Sequence, residues 1–169
     1  MNKICSFIAA ITLSASAMAE GGYIGTTFSS VDIDYGSGGS YNPGVLSVKG
    51  GAHLNDNIAI ELRVGTGVIS ADAGTVVMDV DKIVSTFLVL TPEKDFPIYA
   101  MIGRTTASAT INSSYQGSSS GSESDISYGL GVNFKPKDAR TGINFEAIKY
   151  ANKESFTASS INIGVQIEF

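Results

Sequence analysis

From Ser160 to Phe169 the chain alternates without interruption between apolar and polar or small residues. Ile161, Ile163, Val165, Ile167 and Phe169 fall on one side, and Ser160, Asn162, Gly164, Gln166 and Glu168 on the other. A period of two is that of an extended strand, whose successive side chains point to opposite faces. The pattern recurs upstream. Ile58, Ile60, Leu62 and Val64 alternate with Ala59, Glu61, Arg63 and Gly65, and the β-branched residues on the apolar face argue against a helix. Leu46, Val48 and Ala52 oppose Ser47, Lys49, Gly51 and His53. Tyr128, Leu130, Val132 and Phe134 alternate with Ser127, Gly129, Gly131 and Asn133, and Ile143, Phe145 and Ala147 with Asn144, Glu146 and Ile148. Three weaker segments complete the set. In 22–30 the outward residues are Ile24, Thr26 and Phe28; in 78–90 they are Val84, Leu88 and Leu90, with Phe87 and Val89 blurring the pattern. In 98–109 they are Tyr99, Met101 and Gly103 if Arg104 points inward. Eight strands result, each near the length of about 9–11 residues that a tilted membrane strand needs.

The links between strands come in two kinds. Asn55–Asn57, Thr91–Pro97 and Lys135–Thr141 are turn-like. Asp34–Pro43, Ile69–Val76, Asn112–Asp125 and Ala151–Ser155 are richer in serine, glycine and acids, and Gln116–Ser124 within the third is low-complexity sequence expected to be a mobile loop. An even number of antiparallel strands puts both termini at the end that carries three turns.

Composition narrows the solvent. Only 16% of the 169 residues are charged, and 19 are glycine. A soluble domain carries about 25% charge. No apolar run beyond the first twenty residues is long enough for a membrane helix, so any crossing must use strands. A sheet crosses hydrocarbon only when it closes on itself, since each unpaired backbone group there costs several kcal/mol. The expected architecture is therefore all-β: an eight-stranded antiparallel up-and-down transmembrane β-barrel.

The first residues read as an export signal. Lys3 precedes the apolar stretch Ile4 to Leu13, and Ala17-Met18-Ala19 is a small-x-small cleavage site. Cleavage after residue 19 leaves 150 residues (169 less 19), so the expected division is a leader, 1–19, and a barrel, 20–169. The single cysteine, Cys5, lies in the leader, which excludes thiol chemistry in the mature chain. Loss of Lys3 takes the net charge from −5 to −6, which argues against nucleic acid as a partner.

The signal segment, the Leu46–Gly67 hairpin, the Gly129-Leu130-Gly131-Val132 strand and the final Ile167-Glu168-Phe169 resemble the small eight-stranded outer-membrane β-barrel family. That family includes porin-like proteins and the transmembrane domain of outer-membrane protein A. The resemblance implies an integral protein of the Gram-negative cell outer membrane, monomeric, in contact with lipid and lipopolysaccharide. It further implies that Phe169 is the signal read by the barrel-assembly machinery, that the turns face the periplasm, and that the four longer links face outside. No periplasmic domain is expected after the barrel, so peptidoglycan binding is not implied.

Eight strands leave an interior just wide enough for side chains to fill. Lys49, Arg63 and Arg104 are placed there against Glu61, Glu146 and Glu168, a charge-balanced network among glycines such as Gly25, Gly65 and Gly164. Tyr23, Phe96, Tyr99, Phe134 and Phe169 are expected as an aromatic girdle at the inner interface. His53, the single histidine, sits beside a turn with neither a metal-ligand nor a triad partner, and is expected to be structural. Asp32 with Asp34 and Asp79 with Asp81 are carboxylate pairs near the outer rim, expected as solvated loop bases, with a divalent-cation bridge to lipopolysaccharide as the other reading. No catalytic set, metal centre or cofactor motif is expected. The expected role is structural or surface-interactive, through the Asn112–Asp125 loop and an external partner that the sequence does not identify. A narrow pore, a lipid-modifying enzyme and a soluble barrel for an apolar ligand are the rivals. The last requires apolar residues inside the barrel.

Overall fold

The computed structural model describes residues 21–169 apart from 37, 38, 73, 75, 94, 95, 115, 116, 138 and 154; the expected leader and its cleavage site lie outside the described residues. Ten strands follow one another: β1 (Gly22–Asp34), β2 (Ser40–Tyr41), β3 (Gly44–Asn55), β4 (Ile58–Ile69), β5 (Ala71–Asp72), β6 (Val76–Leu90), β7 (Ile98–Ser113), β8 (Gly117–Phe134), β9 (Thr141–Asn152) and β10 (Thr157–Glu168). The eight long strands pair antiparallel in the order β10-β9-β8-β7-β6-β4-β3-β1, and β10 pairs with β1 to close the barrel. Closure extends to the last residue. Phe169 N donates to Gly22 O at 2.9 Å, and Gly22 N donates to Phe169 O at 3.0 Å. The two short strands lie in the first two outer links, where β2 pairs with β1 and β5 with β6.

The outward faces form one apolar belt that can be followed by cross-strand partners. Ile24 lies opposite Ile167, Val165 opposite Ile143, Phe145 opposite Val132, Tyr128 opposite Ile102, Leu88 opposite Ile60, and Val64 opposite Val48. Most of its members are exposed, Leu130 to 63% and Ile161 to 67%, with Val64 and Val132 half-buried. A continuous apolar band around a monomer greatly exceeds the patches that water tolerates, whereas hydrocarbon solvates it.

Two features differ from the sequence reading. The Asn112–Asp125 segment is largely strand: β7 runs to Ser113 and β8 starts at Gly117, paired without interruption up to Ser113 opposite Gly117. Polar residues extend a ladder beyond the membrane when hydroxyls bond across it, as Thr106 Oγ1 does to Ser124 Oγ (3.1 Å) and Ser108 Oγ to Ser122 Oγ (3.2 Å). The second difference is the lumen. Its turn end is polar as expected, but its outer half is apolar, with Val31, Val45, Met78, Val80, Ile83 and Tyr150 buried there. Val31, Val45, Ile83 and Tyr150 have the inward parity of their strands, whereas Met78 and Val80 are turned into the lumen by a bulge between Val80 and Lys82 that shifts the parity of β6.

The β8–β9 ladder is short. It runs from Phe134 opposite Ile143 to Tyr128 opposite Lys149. Beyond it the strands are joined by side chains instead. Ser127 Oγ donates to Tyr150 O at 3.0 Å, and Asn152 N donates to Asp125 Oδ2 at 3.4 Å.

Candidate functional site

Four of the six expected lumen charges converge at mid-barrel. Lys49 and Arg63 are direct cross-strand partners on the inward face of β3 and β4. Two cations placed so would repel. They are separated by two carboxylates from different directions. Glu61 stands one inward position along β4, and Glu146 reaches across the lumen from β9. Arg63 grips Glu146 with two bonds, Nη1 to Oε2 at 2.5 Å and Nη2 to Oε1 at 2.9 Å, and its Nε donates to Glu61 Oε1. Lys49 Nζ lies 3.3 Å from Glu146 Oε1 and 3.8 Å from Glu61 Oε2. All four residues are buried, and two cations cancel two anions. The planar fork of arginine suits this bidentate grip, which a lysine would not reproduce.

The carboxylates take further donors. Tyr23 donates its hydroxyl to Glu61 Oε2 at 2.8 Å, and Tyr99 donates to Glu146 Oε1 at 2.6 Å. Asn144 and Asn162 donate side-chain amides to Glu146 at 3.0 and 3.3 Å. The Phe87 ring lies 5.2 Å from the Arg63 guanidinium, within cation–π range. A buried charge cluster is tolerated only when its hydrogen bonds are filled in this way.

Tyr23 and Tyr99 therefore do not belong to the lipid-facing girdle expected at the inner interface; both hydroxyls point into the lumen. Each ring lies over a glycine that is its cross-strand partner, Tyr23 over Gly51 and Tyr99 over Gly131. A Cβ at Gly51 would sit 2.2 Å from the Tyr23 ring, and one at Gly131 2.3 Å from the Tyr99 ring. The sequence holds the signal for Tyr23: with Ile24, Thr26 and Phe28 outward, a period of two turns it inward. Phe96, Phe134 and Phe169 are exposed at the turn end, where Phe134 meets Phe145 edge to face at 6.1 Å.

Arg104 is the main correction. Met101 and Thr105 are buried in the lumen, so the β7 register turns Arg104 out. There its Nε donates to Ser124 Oγ at 2.8 Å. It stands between the apolar Ile102 and Tyr128 and the hydroxyl rows of Thr106 and Ser124, at the outer edge of the belt. An arginine at that depth costs about 0–1 kcal/mol, against roughly 2–4 at the midplane. Replacing Arg104 with alanine should consequently shift the urea midpoint in lipid little, by about 1 kcal/mol or less in stability. A loss several times larger would place Arg104 in the lumen cluster after all.

Glu168 also stands apart from the cluster. It accepts from Lys135 Nζ at 2.6 Å at the turn-end mouth. That mouth encloses about 850 Å³ between the strand ends and the three turns, and His53 lines it with its ring 5.7 Å from that of Tyr23. The acidic pairs bind neighbouring groups: Asp32 accepts from Ser40 Oγ at 2.6 Å, Asp34 from Gly36 N at 2.7 Å, Asp81 from Thr110 Oγ1 at 2.8 Å, and Asp79 from Ser70 Oγ. Among the described residues no group of three or more metal-ligating side chains assembles.

Closed barrel, apolar belt and polar cluster agree with a family model, "Outer membrane protein beta-barrel domain", that matches residues 5–169. The chain belongs to that family. It is accordingly an integral outer-membrane protein, bounded by the lipid of that membrane, with its turns on the periplasmic side as in this class. Solved barrels share the fold at low identity. Ail, the attachment invasion locus protein of Yersinia pestis, in complex with the heparin analogue sucrose octasulfate, matches at 17% identity and a TM-score of 0.65, over 89% of this chain and 99% of that one. The N-terminal barrel of Pseudomonas aeruginosa OprF matches at 12% and 0.60, over 88% and 99%. Neisserial surface protein A matches at 13% and 0.58, over 88% and 97%. The sequence has no match among curated proteins.

Proposed function

We propose that the mature chain, residues 20–169, is a sealed, non-catalytic, monomeric outer-membrane barrel that supports envelope integrity and offers its outer hairpin to an external partner. The observation that carries this reading is the Lys49–Glu61–Arg63–Glu146 cluster, which spans the lumen with its charges mutually satisfied. Ions passing it would have to break buried, bidentate pairs. The β7–β8 hairpin, rich in serine and threonine, extends beyond the belt and supplies a polar surface. Lipopolysaccharide surrounds the outer leaflet, and Phe169, closing the ladder, serves as the assembly signal.

The charge at the outer end constrains the partner. Among the described residues Asp32, Asp34, Asp72, Asp79, Asp81, Glu123 and Asp125 stand there against Lys82, Arg104, Lys149 and Lys153, a net of three negative charges. Such a surface repels polyanions, so a heparin analogue like that bound by the Yersinia barrel is a poor fit, and a neutral or cationic partner is favoured.

Conductance across a planar lipid bilayer is the deciding measurement. The purified protein, with folding verified on the same sample, should leave the membrane at baseline. Reproducible discrete steps that change with Glu146→Gln would replace the sealed barrel with an ion path. Exchanging Thr110–Ser120 for an Asn-Gly turn should preserve the barrel but abolish attachment of intact cells to the surfaces they bind; undiminished attachment would remove the hairpin from the proposal.

A further inference from the structure

The outer half of the lumen contains a cavity of about 270 Å³, separated from the ion cluster. Its wall is formed by Val31, Val45, Met78, Val80, Ile83 and Tyr150, all at most 8% exposed. At its polar floor Thr105 Oγ1 donates to Ser85 Oγ at 2.8 Å, so these two hydroxyls satisfy one another. At the outer mouth Tyr35 stacks obliquely on Phe156 at 5.6 Å and meets Tyr41 edge-on at 6.1 Å, giving an aromatic rim. Partial burial, with Tyr41 adding to it, raises the Tyr35 hydroxyl above its ordinary pKa.

We propose that this cavity is a binding site for a neutral, compact apolar molecule of one or two fused aromatic rings. Size sets the upper bound: an apolar cavity of about 150 Å³ takes one benzene ring, and this one is nearly twice that. Chemistry sets the class. The wall residues are aliphatic apart from the Met78 thioether and the Tyr150 phenol, so they supply chiefly dispersion contacts. Among the described residues the charged side chains facing the cavity are Glu123 and Asp125, with Lys153 held on Glu123, so a carboxylate or phosphate head would meet net negative charge. Access is provided by the mouth and by the seam where the β8–β9 ladder stops at Tyr128 opposite Lys149. Both flanks of that seam, Ser124 and Asp125 on β8 and Tyr150 and Ala151 on β9, line the cavity. Three side-chain links there, two hydrogen bonds and the Lys153–Glu123 ion pair, replace a backbone ladder, and they can part without unzipping the barrel.

The test is methyl NMR on the protein purified from outer membranes into lipid nanodiscs and titrated with naphthalene, with octanoate as the anionic probe. Naphthalene should shift the methyls of Val45, Met78 and Ile83 saturably. The lipid-facing methyls of Val48 and Leu130 should drift in proportion to its concentration, reporting partition into lipid. Octanoate should leave the lumen methyls unmoved. Filling the cavity by Ala107→Trp, or by the smaller Ala158→Leu should the first variant not fold, should weaken naphthalene binding at least tenfold. Lumen methyls that stay still, or that drift like the lipid-facing ones, would overturn the site. Saturable binding of octanoate would overturn its neutrality, and unchanged affinity in a folded filled variant would overturn its location. Neither conductance nor cell attachment enters these readouts, so they stand apart from the sealed-barrel proposal.

Discussion

Glu146→Ala should be the most damaging single substitution in this barrel, costing about 3–5 kcal/mol of stability. Glu146 is the acceptor for both Arg63 Nη atoms, for Lys49, for the Tyr99 hydroxyl and for two asparagine amides. Its removal leaves Glu61 as the one carboxylate of the cluster against two buried cations, and the penalty is that of an uncompensated buried charge rather than of one lost contact. Glu61→Ala should be damaging for the same reason but less so, since Arg63 retains its two-bond grip on Glu146. The measurement is the urea midpoint of unfolding in lipid vesicles, read by gel mobility of folded and unfolded forms. Removing cation and anion together, as Arg63→Met with Glu146→Leu, should recover part of the loss, because an apolar pair of similar volume needs no counter-charge. An unchanged midpoint in Glu146→Ala would mean that the four charges are hydrated independently and form no network.

Gly131→Leu should have the second-largest effect, on the order of 1–3 kcal/mol for overpacking with a further ~1 kcal/mol for the displaced Tyr99 hydroxyl. The Tyr99 ring occupies the space that any side chain at 131 would enter. Turning the ring aside breaks its 2.6 Å bond to Glu146. Gly51 and Tyr23 repeat the arrangement on the other flank of the cluster, so Gly51→Leu should behave alike. A thermal midpoint series decides the cause. If occupied space is the problem, Tyr99→Ala added to Gly131→Leu should cost less than the sum of the two single changes, the non-additivity expected of residues in contact. Strict additivity would show that glycine is needed at 131 for the backbone and not for the ring.

Legibility in the sequence follows the strength of alternation. Ser160–Phe169 and Ile58–Gly65 carry their charges and glycines on one parity and their large aliphatics on the other, so parity alone assigns their faces. Lys49, Glu61, Arg63 and Glu146 lie on strands of this kind, and parity turns them inward. Arg104 lies on β7, where small residues occupy both parities; the assumption that a charge must point inward reverses that strand and puts Tyr99 and Met101 outside. The decisive fact is depth rather than side: at the belt's outer edge an arginine can face outward and reach Ser124 at little cost. Tyr23 is misplaced for a different reason, because its aromatic character suggests a girdle while the parity of β1 already turns it inward.

The strand period, the strand count, closure into a barrel and the apolar belt are therefore determined by the sequence. Each follows from a repeat within a strand, together with the rule that hydrocarbon leaves no backbone group unpaired. Tertiary structure decided what depends on distances across the lumen, between residues far apart in the chain. Glu146 reaches Arg63 from 83 positions away. Gly51 and Gly131 accommodate rings from neighbouring strands, and Val31, Val45 and Ile83 gather with Met78 and Val80, turned inward by the bulge in β6, into an apolar outer chamber. Periodicity is a property of one strand and says which face a residue occupies; it does not contain shear and register, which set the level at which each inward side chain meets those of the other strands.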